Sequence, residues 1–130
     1  MDSVTKKFIP ILGGLNEHPI DILEKKVTQD QDTIGIVERL NGVSKLWNHE
    51  IERLLKLINK NETDQKFTDD ELNKFKRAQQ KWEEYRDAQE KAVVTYFAKR
   101  NGTYYFVKAA SMILEINKSR ASYLWGFLNF

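Results

Sequence analysis

Five residues within the span 79–87 hold an unusual concentration of polar and aromatic chemistry: Gln79, Trp82, Tyr85, Arg86 and Asp87. Residues three and four apart share a helix face, so Trp82, Tyr85 and Arg86 lie close together if residues 78–88 are helical. Arg86, and Arg120 further on, fall in otherwise apolar rows, where an arginine must either find partners or serve a ligand. One reading is a buried, hydrogen-bonded arginine network that fixes helix register, with Asp87, Gln79, Gln89 or Asn48 as partners. The other is an anion or carboxylate site in a groove between helices. A second group, Arg100, Tyr104 and Tyr105, flanks Gly102 at a turn. Aromatics at such a junction form either a binding edge or a packed end-cap.

Catalytic constellations are missing from the pattern. No Gly-rich phosphate loop and no nucleophile elbow occurs, and the absence of cysteine excludes thiol chemistry, disulfides and thiolate metal sites. His49 is adjacent to Glu50, and neighbouring helical positions point in different directions, so His49 reads as a surface residue. His18 and His49 are far apart in sequence and suggest no metal site. Glu83, Glu84, Asp87 and Glu90 lack the Glu-x-x-His partner of metal-binding bundles and read as solvated groups, Glu83 with Asp87 and Lys81 with Glu84. No catalytic residue, metal or cofactor is expected, and the protein is not read as an enzyme.

The elements that position these groups are helices. Residues 1–18 contain Pro10 and Gly13-Gly14 and read as an N-terminal arm. Lys6-Lys7 followed by Phe8-Ile9-Pro10-Ile11-Leu12 weakly resembles a signal peptide, but the run is short, broken by proline and lacks a clear small-residue cleavage site. A short helix starts near Pro19 and runs to about Thr28. A long helix follows over about 32–59, with a seam of Val37, Leu40, Ser44, Trp47, Ile51, Leu54 and Ile58. Gly35 and Gly42 mark a place where it could break. Thr68-Asp69-Asp70-Glu71 is a capping box that opens a second long helix, to about Arg100. Its seam is Leu72, Phe75, Gln79, Trp82, Arg86, Gln89, Val93 and Tyr96. Trp47, Trp82, Tyr85 and Tyr96 read as core aromatics. After Asn101-Gly102 a last helix spans about 103–128, with a seam of Phe106, Ala109, Ile113, Ile116, Arg120, Tyr123 and Phe127. The fold class is therefore all-α: an antiparallel bundle of three long helices plus a short N-terminal one, with residues 19–130 as one domain.

The net charge is +2, from 21 basic and 19 acidic residues, too balanced to indicate a nucleic-acid partner. Residues 17–70 carry 8 basic and 12 acidic side chains, and residues 71–130 carry 11 and 6. Halves of opposite sign suit helices that attract one another, or a cationic face toward an anionic partner. No apolar run is long enough to cross a membrane.

The pattern Phe75-x-x-Ala78-Gln79-x-x-Trp82-x-x-Tyr85-Arg86-Asp87-Ala88 resembles the core motif of the lysozyme inhibitor LprI N-terminal domain family. Trp47-Asn48-x-x-Ile51 is similar to the family's upstream element, and Asn117-x-x-Arg120-Ala121-x-x-Leu124 to its closing one. The three occur in matching order along residues 20–128. Family members usually have a cysteine after the central motif; Glu90 stands near that position here. The resemblance implies a helical domain of the bacterial envelope, periplasmic or secreted, whose partner is a lysozyme or another envelope protein. It also implies that Gln79, Trp82, Tyr85, Arg86, Asp87 and Arg120 are architectural. Lysozymes cleave through two carboxylates in a long cleft, so an inhibitor needs a protruding element with donors or a cation. The 59–68 connector and the Arg100–Tyr105 turn qualify, with Arg100, Tyr104 and Tyr105 as the contact residues. The alternative is a module that binds a small molecule or cell-wall fragment in a groove near Arg86 and Arg120, or a purely structural interaction domain.

Overall fold

The structure, a computed structural model, describes residues 18–27, 33–61, 66–100 and 102–128. Among the described residues there are four helices: α1 (Pro19–Val27), α2 (Thr33–Lys60), α3 (Asp69–Ala98) and α4 (Thr103–Trp125). The expected N-terminal arm lies outside the described residues except for His18. Among the described residues, no helix is long and apolar enough to cross a membrane.

Local chemistry sets the boundaries. Thr68 Oγ1 accepts from the Glu71 amide at 3.2 Å, while Glu71 Oε1 accepts from the Thr68 amide at 2.8 Å, which completes the capping box. Asp69, Asp70 and Glu71 add negative charge where the helix dipole favours it. α2 ends at Asn61, which takes the left-handed conformation at φ 55°. The Asn61 amide then clamps the next segment, giving and receiving 2.8 Å hydrogen bonds with the Phe67 carbonyl and amide. Gly102, at φ 112°, makes the turn between α3 and α4.

α2 is unbroken through Gly35 and Gly42, contrary to the break their helix propensity suggested. Two glycines cost about 1 kcal/mol each in a helix interior. The apolar stripe of Leu40, Val43, Trp47, Ile51, Leu54 and Ile58, all buried, outweighs that. The stripe packs chiefly on α4, while α3 leans on α4 and α1 on α2. Ser44 pairs with Asn117, and Gln79 with Arg120, so the three long helices run up, down and up, with α4 between α2 and α3.

That central position corrects the expected α4 seam. Its deepest residues are Ala110, Leu114, Asn117, Ala121, Leu124 and Trp125, which face α2. The expected row bears on α3 through Arg120 and Phe127, but α3 packs more loosely, and Phe106 and Tyr123 stay exposed. On α3 itself only Gln79 and Val93 are buried. Of the four expected core aromatics, Trp47 is fully buried and Trp82 half-buried, whereas Tyr85 and Tyr96 face solvent.

Candidate functional site

The α3 motif and Arg120 converge on Trp82. Arg120 is 8% exposed, and its Nε donates to Gln79 Oε1 at 3.0 Å. Gln79 in turn donates to Glu83 at 3.4 Å. The Arg120 guanidinium lies 5.6 Å from the Trp82 ring and 5.3 Å from that of Tyr123. Burial pushes its pKa below the usual arginine value, with Tyr123 and Glu83 opposing that shift. No carboxylate lies in ion-pair contact with Arg120 among the described residues. Arg86 is different: its side chain is 27% exposed, bonds to neighbouring Asp87 at 3.1 Å and sits 5.1 Å from the Trp82 ring. Tyr85 points to solvent and Gln89 is exposed.

Arg120 also forms one wall of a cleft of about 470 Å³ between the start of α3 and the end of α4. Phe67, Phe75, Tyr123 and Phe127 supply most of the remaining wall. Arg86, expected to share a groove with Arg120, does not line it.

At the far end of α4, the α3–α4 turn carries a second surface. Tyr104 is 68% exposed, and Phe106 and Tyr96 are also open to solvent. Arg100 lies 3.6 Å over the Tyr96 ring and donates to the Tyr96 carbonyl at 2.8 Å, so its guanidinium is held in place. Tyr105 is half-buried, against Phe97 and Tyr104. The turn is thus an exposed aromatic edge with a fixed cation. Of the other expected contact element, the 59–68 connector, residues 62–65 lie outside the described residues.

One cluster escaped sequence reasoning. The His18 ring lies between Trp47 and Trp125, its centroid 4.9 and 4.8 Å from theirs. His18 Nδ1 accepts from the Ile20 amide at 3.0 Å, so Nε2 carries the proton that it donates to Glu50, 2.6 Å away. Glu50 also accepts from Arg53. Burial alone would raise the Glu50 pKa, but the bonds from His18 and Arg53 prevail and hold it below the usual value. Lys118 of α4 reaches Asp21 of α1 at 2.6 Å and completes the docking of α1. One signal was available: Glu50 falls three residues after Trp47 and four before Leu54, on the buried face of α2. Its partner His18, which precedes α1, was not legible.

Among the described residues, no group of His, Asp and Glu side chains could hold a metal ion. His49 is exposed, and Lys81 and Glu84 pair at 3.6 Å on the surface of α3. The described residues thus form an all-α scaffold with an aromatic, cation-bearing tip at one end of α4 and an arginine-walled cleft at the other. The chain belongs to the LprI family: the family model described as lysozyme inhibitor LprI matches residues 24–124, from α1 to the last turn of α4. No curated protein and no solved structure matches the chain.

Proposed function

We propose that the protein is a lysozyme inhibitor of the bacterial envelope, periplasmic or secreted, which blocks the enzyme by inserting the α3–α4 turn into its cleft. Family membership supports the activity. The observation that favours the turn as the contact is its exposed aromatic edge beside the anchored Arg100 guanidinium. Tyrosines offer large, stiff contact area at low entropic cost, and aromatic and arginine side chains dominate binding energy at interfaces. A lysozyme cleft presents two carboxylates, which the Arg100 guanidinium and the Tyr104 hydroxyl are suited to meet as donors. Contact of Gln79 and Trp82 with Arg120 sets α3 beside α4 below the turn.

The test is a cell-wall lysis assay with animal-type, goose-type and invertebrate-type lysozymes at several salt concentrations, comparing the wild-type chain with Tyr104→Ala and Arg100→Ala. The expected result is dose-dependent inhibition of at least one class, weakened about thirtyfold by loss of a side chain worth ~2 kcal/mol. Failure to inhibit any class at excess protein would overturn the activity. Undiminished inhibition by both variants would overturn the contact surface.

A further inference from the structure

The turn accounts for one end of α4. The cleft at the other end has its own chemistry. Four aromatic rings run along its wall in edge-to-face contact: Phe67 with Phe75 at 5.2 Å, Phe75 with Phe127 at 4.6 Å, and Phe127 with Tyr123 at 5.2 Å. A volume of about 470 Å³ falls within the range of small-molecule sites. The charged groups at its edge are mostly engaged. Lys66 donates to the Asn61 carbonyl at 2.8 Å, Lys74 pairs with Asp70 at 2.8 Å, and the Glu71 carboxylate accepts from the Thr68 amide. Lys66 keeps an uncompensated charge at the exposed rim, and Arg120 is the cation set within the wall. A guanidinium has five N–H donors, and the one on Nε is used by Gln79. The terminal Nη groups have no protein acceptor among the described residues, in a residue that is 8% exposed and lines the cleft.

We infer that this cleft is a binding site for a small monocarboxylate with an aryl or short alkyl body, its carboxylate held on the Nη groups of Arg120 and its body against the Phe75–Phe127–Tyr123 wall. A planar carboxylate matches the fork of a guanidinium in geometry and charge. With one guanidinium set in an aromatic wall, the Glu71 carboxylate nearby and Lys66 only at the exposed rim, the cleft disfavours strongly hydrated polyanions such as phosphate esters. The site lies about 24 Å from Tyr104 along α4, at about 1.5 Å of rise per residue. It therefore stands independently of the lysozyme reading and can be occupied while the turn is engaged.

The test titrates the full chain with 4-phenylbutyrate and, separately, with its neutral amide, 4-phenylbutanamide, following aromatic and arginine side-chain NMR signals. The acid should give saturable shifts at Phe75, Tyr123, Phe127 and the Arg120 Nε–H, and bind about tenfold or more tightly than the amide. Ala78→Phe adds a ring at an exposed α3 position on the cleft wall and should abolish binding without disturbing the core. Arg120→Met should remove the preference for acid over amide. Equal affinity for acid and amide, an absence of saturable shifts, or binding that survives Ala78→Phe would each overturn the assignment. The comparison of the two probes with wild-type protein and Ala78→Phe holds even if the Arg120 variant does not fold.

Discussion

Arg120→Met separates an arginine kept for the fold from one kept for a ligand. The substitution removes the charge-assisted hydrogen bond to Gln79, worth about 1.5–3 kcal/mol. It also removes two ring contacts at 5.6 and 5.3 Å, which at that range contribute about 0.5 kcal/mol each. Against this stands the cost of desolvating a guanidinium without a carboxylate in contact, which for a buried ion amounts to several kcal/mol. The depressed pKa, caused first by burial, gives the sign: folding disfavours the charge at this position. Methionine keeps most of the aliphatic stem, so the net change should lie within about 1 kcal/mol of zero. Arg120→Ala also discards roughly three buried methylenes at ~0.8 kcal/mol each, and should be about 2 kcal/mol less stable than the methionine variant. Urea unfolding followed by tryptophan fluorescence resolves this, because Trp47 and Trp125 are both buried. With a slope of about 1–3 kcal/mol per molar, the two variants should differ in midpoint by about 1 M. A methionine variant as unstable as the alanine one, both several kcal/mol below wild type, would refute the reasoning and make the guanidinium itself a structural tie.

Arg86→Ala should cost only about 1 kcal/mol, since its partner Asp87 is exposed and its contact with Trp82 is open to solvent; a loss above about 3 kcal/mol in the same urea experiment would show a buried role that the structure does not give it. The lowered Glu50 pKa makes α1 docking acid-sensitive. Its contribution is complete above the usual carboxylate value of 4.5 and is lost as pH falls through the lower folded value, so the fluorescence of Trp47 and Trp125 should change in that acid range and the change should vanish in Glu50→Gln. His18→Ala removes the ring between two tryptophans and leaves Glu50 to Arg53 alone; a loss of about 2–4 kcal/mol is expected, and a change below 0.5 kcal/mol would mean that α1 does not depend on this contact. Tyr104→Ala should leave the urea midpoint unchanged, because the side chain is 68% exposed, so that lost lysozyme inhibition reports contact rather than unfolding.

The parts of this fold that the sequence makes legible are those governed by short-range rules. The Thr68–Glu71 capping box and the Leu40–Ile58 stripe each depend on residues within one or two helical turns, and each is found where the spacing places it, whereas α3 stops at Ala98, before the expected end at Gly102, which instead precedes α4. Arg120 stood out as a charge in an apolar row, and its bond to Gln79 was among the anticipated pairings. What periodicity could not give is which of two apolar faces a central helix turns to which neighbour. α4 has both, so a single-seam reading selected the α3 side and passed over Leu114, Leu124 and Trp125. The same limit hid the cleft. Phe67 reaches it because the Asn61 side chain clamps the connector, while Phe127 lies beyond the last turn of α4, and the two meet through Phe75 only after the chain has folded back. The tip followed a different logic. Its residues were singled out by type beside Gly102, but their exposure arises because α3 packs loosely on α4 and leaves Tyr96, Tyr104 and Phe106 open. Loose packing of one helix thus produces the aromatic edge, while the tightly packed α2–α4 pair supplies the rigid base against which that edge can be presented.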